Sequence, residues 1–425
     1  MAQTLVSITG IAAGGAGVGR LPDGRAVFVH RTSPGDEAEI RVVEQKPRWA
    51  RGTLIRLRHA GPQRRSAPCP HYDACGGCTL EHMEYEAQLR AKATLVAETM
   101  RRIGGTDAGT PDIVGSPAEF GYRNRVSFTL VRTGAGRVIA GFHAIDRAHR
   151  VVDIDERCML PEPAVNRTWH AIRHGWGEDA RRLPSGERLR LTVRATSEGM
   201  ATLFVDGGFH PGRPGELLER VPGLAAIWHR PEGGTTPVLL AGEETVREHW
   251  RGERIALAGD VFLQVNRSAA ALLEDHVMAV LGDMADRTAI DAYCGVGILS
   301  RRMAGAGAAV TGIELDARAI EEAQRGAPAG TRFLAGPVET RIGEALPADI
   351  VLLNPPRAGV HADVCAALHG TPPSRIVYVS CDPATLARDV ARLAPRFALD
   401  GIHCFDLFPQ TAHVETVAVL TCATA

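Results

Sequence analysis

Thr288-Ala-Ile-Asp-Ala-Tyr-Cys-Gly-Val-Gly297 reads as a short strand over 288–293 that runs into a glycine turn and opens a helical pattern over 299–306. The alternation continues around it. Residues 270–281 and 317–324 have helical spacing, while 309–314, 350–353 and 375–379 are apolar runs of strand length. This order implies βαβ units and a parallel, doubly wound sheet, so 263–425 is expected to be a Rossmann-like α/β domain.

Upstream the pattern differs. Residues 1–60 alternate short β-like runs with turns such as Gly14-Gly15-Ala16-Gly17-Val18-Gly19 and Asp23-Gly24, which predicts a small antiparallel barrel of the OB type. Helical spacing from Leu89 to Ile103 is followed by strand-like sequence over 110–260, so 61–262 is expected to be a mixed α+β middle domain. The fold class is therefore multidomain.

At 425 residues and 45% apolar composition, the chain is long enough to fold without disulfides. It has no run of about twenty apolar residues and no leader-like start, so a cytoplasmic protein without a membrane segment is expected, and a monomer. Nine irregularly spaced cysteines then argue for metal ligation or catalysis. The net charge is −1, but residues 1–68 carry eleven Lys or Arg against five Asp or Glu. Residues 121–150 carry six Arg against one Asp. Basic segments on a neutral chain suggest a local surface for a polyanion.

Gly295 and Gly297, at a strand end, let backbone approach a ligand closely, which suggests a nucleotide pocket beside Tyr293. Glu314 ends the next strand, where a carboxylate can accept hydrogen bonds from both ribose hydroxyls. With one Gly-x-Gly and no Gly-x-Gly-x-x-Gly, S-adenosylmethionine fits better than a dinucleotide. Asn354-Pro-Pro-Arg357 adds a rigid rim after a later strand. Cys381, in Ser380-Cys-Asp-Pro383, follows the 375–379 strand at the same edge, and a polar turn points it out of the core. A thiolate there suits addition to carbon 6 of a pyrimidine, which makes carbon 5 nucleophilic; Glu415 is the candidate base for the carbon 5 proton. Cys294, Cys365, Cys404 and Cys422 read as structural thiols. Cys69, Cys75, Cys78 and Cys158 form a set that suits zinc or an iron–sulfur cubane, with zinc favoured by spacing alone.

The stretches 291–297, 354–359, 380–389 and 408–415 together resemble the RNA uracil-5-methyltransferase family, in particular members that act on ribosomal RNA and carry a cluster. The resemblance implies that Cys381 is the nucleophile and Glu415 the base. It also implies that Gln264, in Phe262-Leu-Gln-Val-Asn266, contacts cofactor or target base, and that Gly295, Gly297, Tyr293, Glu314 and Asn354 hold the cofactor. It reverses the metal reading, to a [4Fe-4S] cluster on the four cysteines, and likens the barrel to a TRAM domain whose Arg41, Lys46, Arg48, Arg51, Arg56 and Arg58 follow RNA phosphates. Tyr122-Arg-Asn-Arg125 resembles a motif near the RNA path. The expected activity is S-adenosylmethionine-dependent methylation of a uridine in structured RNA, with 23S ribosomal RNA favoured over the T-loop of transfer RNA. The target base must lie in a loop or be flipped out.

The sequence also departs from that family. Asn354 replaces the usual Asp, Asp382 the usual Asn, and Ile298 and Pro337 stand where polar cofactor contacts are common. An RNA-binding protein with a degenerate catalytic centre is therefore a second hypothesis, and cytosine methylation a third.

Overall fold

The computed structural model describes residues 3–134, 136–259 and 261–423. Strands Gln3–Ile11, Gly17–Arg20, Ala26–Val29, Glu37–Gln45 and Trp49–His59 close into the expected barrel, except that Ala26–Val29 pairs with Trp49–His59 in parallel rather than antiparallel fashion. Alternating residues point inward, so Val6, Ile8, Val27, Val29 and Ile40 make its core.

The C-terminal sheet has eight strands, in the order Thr331–Ala335, Ala309–Glu314, Thr288–Ala292, Ile350–Leu353, Arg375–Ser380, Glu415–Cys422, Phe397–Phe405, Asp112–Val114. The first five are parallel, and Glu415–Cys422 runs antiparallel to both of its neighbours. Both faces are covered. Ala289 packs in one apolar cluster with Val277 and Met303, and Ile290 in another with Val96, Val364 and Leu386. Strand order reverses between Thr288–Ala292 and Ile350–Leu353, and open α/β sheets bind ligands beyond the carboxyl ends of strands at such a point.

The middle region carries a seven-stranded sheet from Arg125–Arg132 to Val238–Gly242, backed by helix Pro163–Gly175, whose Trp169 stacks on Phe128 with ring centroids 4.0 Å apart. The region read from sequence as 61–262 gives pieces to the C-terminal body at both ends. Helix Tyr85–Gly104 contributes Val96 and Met100 to the core of the C-terminal sheet, and Asp112–Val114 pairs in parallel with Phe397–Phe405. At the other end the hairpin Val246–Trp250 and Glu253–Leu257 packs Trp250 and Ile255 with Leu273 and Val277. Among the described residues no helix is long and apolar enough to cross a membrane.

Candidate active site

The turn after Thr288–Ala292 is built for close approach. Tyr293, Gly295 and Gly297 all have positive φ, at 65°, 54° and 76°. A Cβ on Gly295 would meet nothing within 4 Å, so open space lies above this backbone. Gly297 is instead hemmed in: its Cβ would come 3.0 Å from Ala323 Cβ and 3.2 Å from the Phe333 ring. Gly297→Ala is therefore expected to lose about 1–2 kcal/mol of stability from left-handed backbone alone. Thermal melting measures that loss, and titration with S-adenosylhomocysteine should show weaker binding.

Glu314 ends the neighbouring strand, and its carboxylate accepts from Gly295 N–H at 3.0 Å, Leu315 N–H at 2.7 Å and Asp316 N–H at 3.0 Å. A carboxylate has about four acceptor positions, so these bonds leave one rather than the two expected from sequence. Leu315 is 69% exposed beside it, an apolar surface at the carboxyl edge of the sheet. Sequence reading missed Leu315; its signal was an apolar residue directly after the acidic strand end. Asp291 is buried, accepts from Ser300 Oγ at 2.6 Å and is pushed up to about 7 by burial. Asn354 lies half-buried on the adjoining strand end, its N–H donating to Ala292 O at 3.2 Å. Ile298 begins helix Ile298–Gly305 and Pro337 caps helix Val338–Ala345, so both departures also have local structural roles.

Cys381 and Glu415 meet across the sheet. Ser380 pairs with Thr416 in antiparallel register, which sets Cys381 opposite Glu415, and Thr416 Oγ1 donates to Ser380 O at 3.0 Å. Cys381 is half-buried, directly before helix Pro383–Leu393. Asp382 caps that helix, its Oδ1 accepting from Ala384 N–H at 2.9 Å and Thr385 N–H at 3.1 Å. An Asp here caps the helix as an Asn would, but its charge raises the Cys381 thiol, against the helix amino end, which favours a thiolate nearby. Burial raises the Cys381 thiol, the Glu415 charge adds to this, and Arg357 opposes it. Glu415 is 4% exposed, and burial pushes its carboxyl up to about 8 against the pull of Arg357. A carboxyl at such a value is poised to exchange protons near neutrality.

The rim is fixed by Asp389, which is fully buried. It accepts from Val360 N–H at 3.0 Å, Tyr378 Oη at 2.9 Å and Arg388 Nε at 2.9 Å. Gly359 is required there, since a Cβ would lie 2.3 Å from Asp389 Oδ2. Asn266 caps helix Arg267–Leu281, accepting from Ala269 N–H at 3.2 Å and donating to Leu407 O at 3.2 Å. It thereby brings half-buried Gln264 and 59% exposed Phe262 beside the segment leading to Glu415. Arg123 bridges the same place, its guanidinium 5.6 Å from the Phe408 ring centroid.

Cys69, Cys75, Cys78 and Cys158 line one pocket, walled by Phe142, Ile154 and Leu160. Burial raises all four thiols, Cys75 to about 11 and Cys158 to about 12; Cys75, Cys78 and Cys158 also feel the charge of others in the set, and Cys69 that of Glu81 and Asp155. Gly77 N–H donates to Cys75 Sγ at 3.3 Å. Among the described residues no three His, Cys, Asp or Glu side chains are arranged to hold a single ion. On the barrel, Arg56 and Arg58 both pair with Glu39, at 2.9 Å and 2.8 Å, and Arg51 and Lys46 with Glu44, at 3.3 Å and 3.5 Å. Four of the six cations expected to follow phosphate thus already have acidic neighbours; such exposed pairs are weak and exchangeable.

The sheet order, the glycine turn and the acidic strand end define a methyltransferase of the S-adenosylmethionine-dependent class. A sequence profile of the tRNA (Uracil-5-)-methyltransferase family matches residues 344–423, and one of the TRAM domain matches residues 3–55. An uncharacterized RNA methyltransferase of Gloeobacter violaceus is 36% identical over 98% of this chain and 95% of its own length. One from Halalkalibacterium halodurans is 32% identical over 98% of this chain and 96% of its own. Among solved structures, the tRNA (uracil-54, C5)-methyltransferase of Pyrococcus abyssi, in complex with S-adenosyl-L-homocysteine, superposes with a TM-score of 0.73 and 25% identity over 98% of this chain and 99% of that one. The chain belongs to the RNA uracil-5-methyltransferase family.

Proposed function

We propose that the protein methylates carbon 5 of a specific uridine in structured RNA through a covalent bond between Cys381 and the uracil ring. The observation that carries this reading is the register of Ser380 with Thr416, which sets Cys381 beside the buried Glu415, whose carboxyl is raised by burial. The turn at 293–297 together with Leu315 and Glu314 fits an adenosyl cofactor, which when bound supplies an electrophilic methyl group. Cys381, which is half-buried, gives its proton to solvent as RNA enters, and its sulfur bonds to carbon 6, so the ring electrons move onto the carbonyl oxygen. Carbon 5 then takes the methyl group. Glu415 removes the remaining carbon 5 proton, and the carbon–sulfur bond breaks to return the cysteine.

The four cysteines fit a metal group because they line one buried pocket and supply four sulfur donors. The resemblance of this cysteine set to that of cluster-bearing members of the family favours a [4Fe-4S] cluster, with zinc as the alternative. Cys69, Cys75, Cys78 and Cys158 would hold it, in a structural role.

Large-subunit ribosomal RNA is the acceptor favoured by the joint presence of barrel and cysteine set. Transfer RNA is the second reading, favoured by the likeness to the Pyrococcus enzyme over nearly the whole chain. Labelled S-adenosylmethionine offered to separate unmodified ribosomal and transfer RNA pools, followed by nuclease digestion, distinguishes them. Label in 5-methyluridine from one pool identifies the acceptor. Label in 5-methylcytidine, or none from iron-loaded protein, overturns the reading.

A further inference from the structure

The loop that carries Cys69, Cys75 and Cys78 touches both the RNA-binding barrel and the turn before Glu415. On the barrel side, Arg31 donates to Cys78 O at 3.0 Å, to Cys75 O at 2.7 Å and to Tyr72 O, with its guanidinium 3.4 Å from the Tyr72 ring centroid. Arg31 has φ of 67° and is itself held, its carbonyl accepting from Arg64, which pairs with buried Asp36 at 2.6 Å. Barrel and loop also touch at Gly15, where a Cβ would lie 2.3 Å from Thr79 Oγ1.

On the catalytic side, Thr79 N–H and Leu80 N–H both donate to Gln410 O at 2.9 Å. Gln410 is fully buried with φ of 69°, a conformation that a non-glycine residue keeps only when its surroundings enforce it. Its Oε1 accepts from Gln88 at 2.9 Å and Arg65 at 3.0 Å, its Nε2 donates to Glu119 at 3.2 Å, and its N–H donates to Gln88 Oε1 at 3.0 Å. Three residues later the chain reaches His413, and two after that Glu415. An apolar contact completes the link: Leu80 and Met83 pack with Ile11 of the barrel and with Ala412 of the turn.

We propose that the cysteine loop is a rigid joint that sets the position of Glu415 by the docking of the barrel, with Arg31 and Gln410 as its two positioning residues. The inference rests on the catalytic role given to Glu415 above. Its physical basis is that the terminal guanidinium nitrogens of Arg31 and the backbone and side-chain amide of Gln410 are bonded to partners across it, so moving one side leaves buried donors and acceptors unpaired on the other. RNA seated on the barrel and a base presented to Cys381 are thereby held in one fixed relation.

The test is amide hydrogen exchange on the iron-loaded protein, comparing wild type with Arg31→Met, which keeps the aliphatic stem, and with Gly15→Ala, which wedges the barrel against Thr79. Arg31 has no bond to the turn at 406–415. Both variants are nonetheless expected to speed exchange there at least fivefold, with iron per chain unchanged. In methyl-transfer assays Gln410→Glu should lower kcat at least tenfold with little change in KM for S-adenosylmethionine. Exchange at 406–415 unchanged in both barrel variants, with exchange at 69–80 accelerated, would overturn the joint. If Arg31→Met loses its iron, Gly15→Ala decides alone, by the same reading. The exchange result stands whether or not Glu415 proves to be the base, so the two ideas fail separately.

Discussion

Cys381→Ala is expected to lower methyl transfer at least about a thousandfold, because in the proposed reaction its sulfur makes and breaks the bond to carbon 6. Binding of S-adenosylhomocysteine should stay within about twofold, since the turn at 293–297 and Glu314 are separate from the cysteine. Glu415→Gln should behave differently. The amide matches the carboxyl in shape but cannot take the carbon 5 proton, so addition and methyl transfer proceed and release stalls. A single-turnover assay should therefore show RNA consumed but not released, whereas Cys381→Ala consumes none. Equal single-turnover rates for wild type and Cys381→Ala would contradict the covalent route.

The second large effect is on pH. Burial lifts the Glu415 carboxyl from its ordinary 4.5 to about 8, and the Cys381 thiol is raised as well. Both must be deprotonated to act, so kcat should climb with pH from 6.5 to 9. The same burial costs stability. The folded state keeps its proton to about 8 while the unfolded state releases it near 4.5, so the unfolded state binds fewer protons in that window. Stability contributed by this group therefore falls as pH rises from 4.5 to 8, then levels off. Glu415→Gln should be more stable than wild type at pH 8.5, by at most roughly a few kcal/mol, and no more stable at pH 4. Thermal melting at the two pH values measures both points. A wild type that melts higher than the variant at pH 8.5 would show that Glu415 is not carrying a buried charge.

The catalytic sheet was largely legible in the sequence. Runs such as Ile350–Leu353 are buried on both faces and read as continuous apolar segments, and the helix over 317–324 is found where its spacing put it. Strand Thr331–Ala335 was not read, because it lies at the sheet edge with little burial and so lacks an apolar run. The middle boundaries shifted for a tertiary reason. Asp112–Val114 is three residues long and is a strand only because Phe397–Phe405, nearly three hundred residues later, offers it an edge. At the site, motif spacing pointed to Cys381 and Glu415, but only the register of two distant strands places them face to face. The work of Asp389, Gln410 and Arg31 was not legible either. Each bonds to segments far away in the chain, and a lone Asp, Gln or Arg in a sequence carries no mark of such partners.

The most direct measurement is mass spectrometry of the species that Glu415→Gln accumulates with its RNA and S-adenosylmethionine, after nuclease and protease digestion. The account expects the peptide containing Cys381 to carry a methylated uridine nucleotide through its sulfur, and no such peptide from Cys381→Ala. Recovery of free 5-methyluridine with an unmodified Cys381 peptide, at every time point of a single turnover, would contradict it.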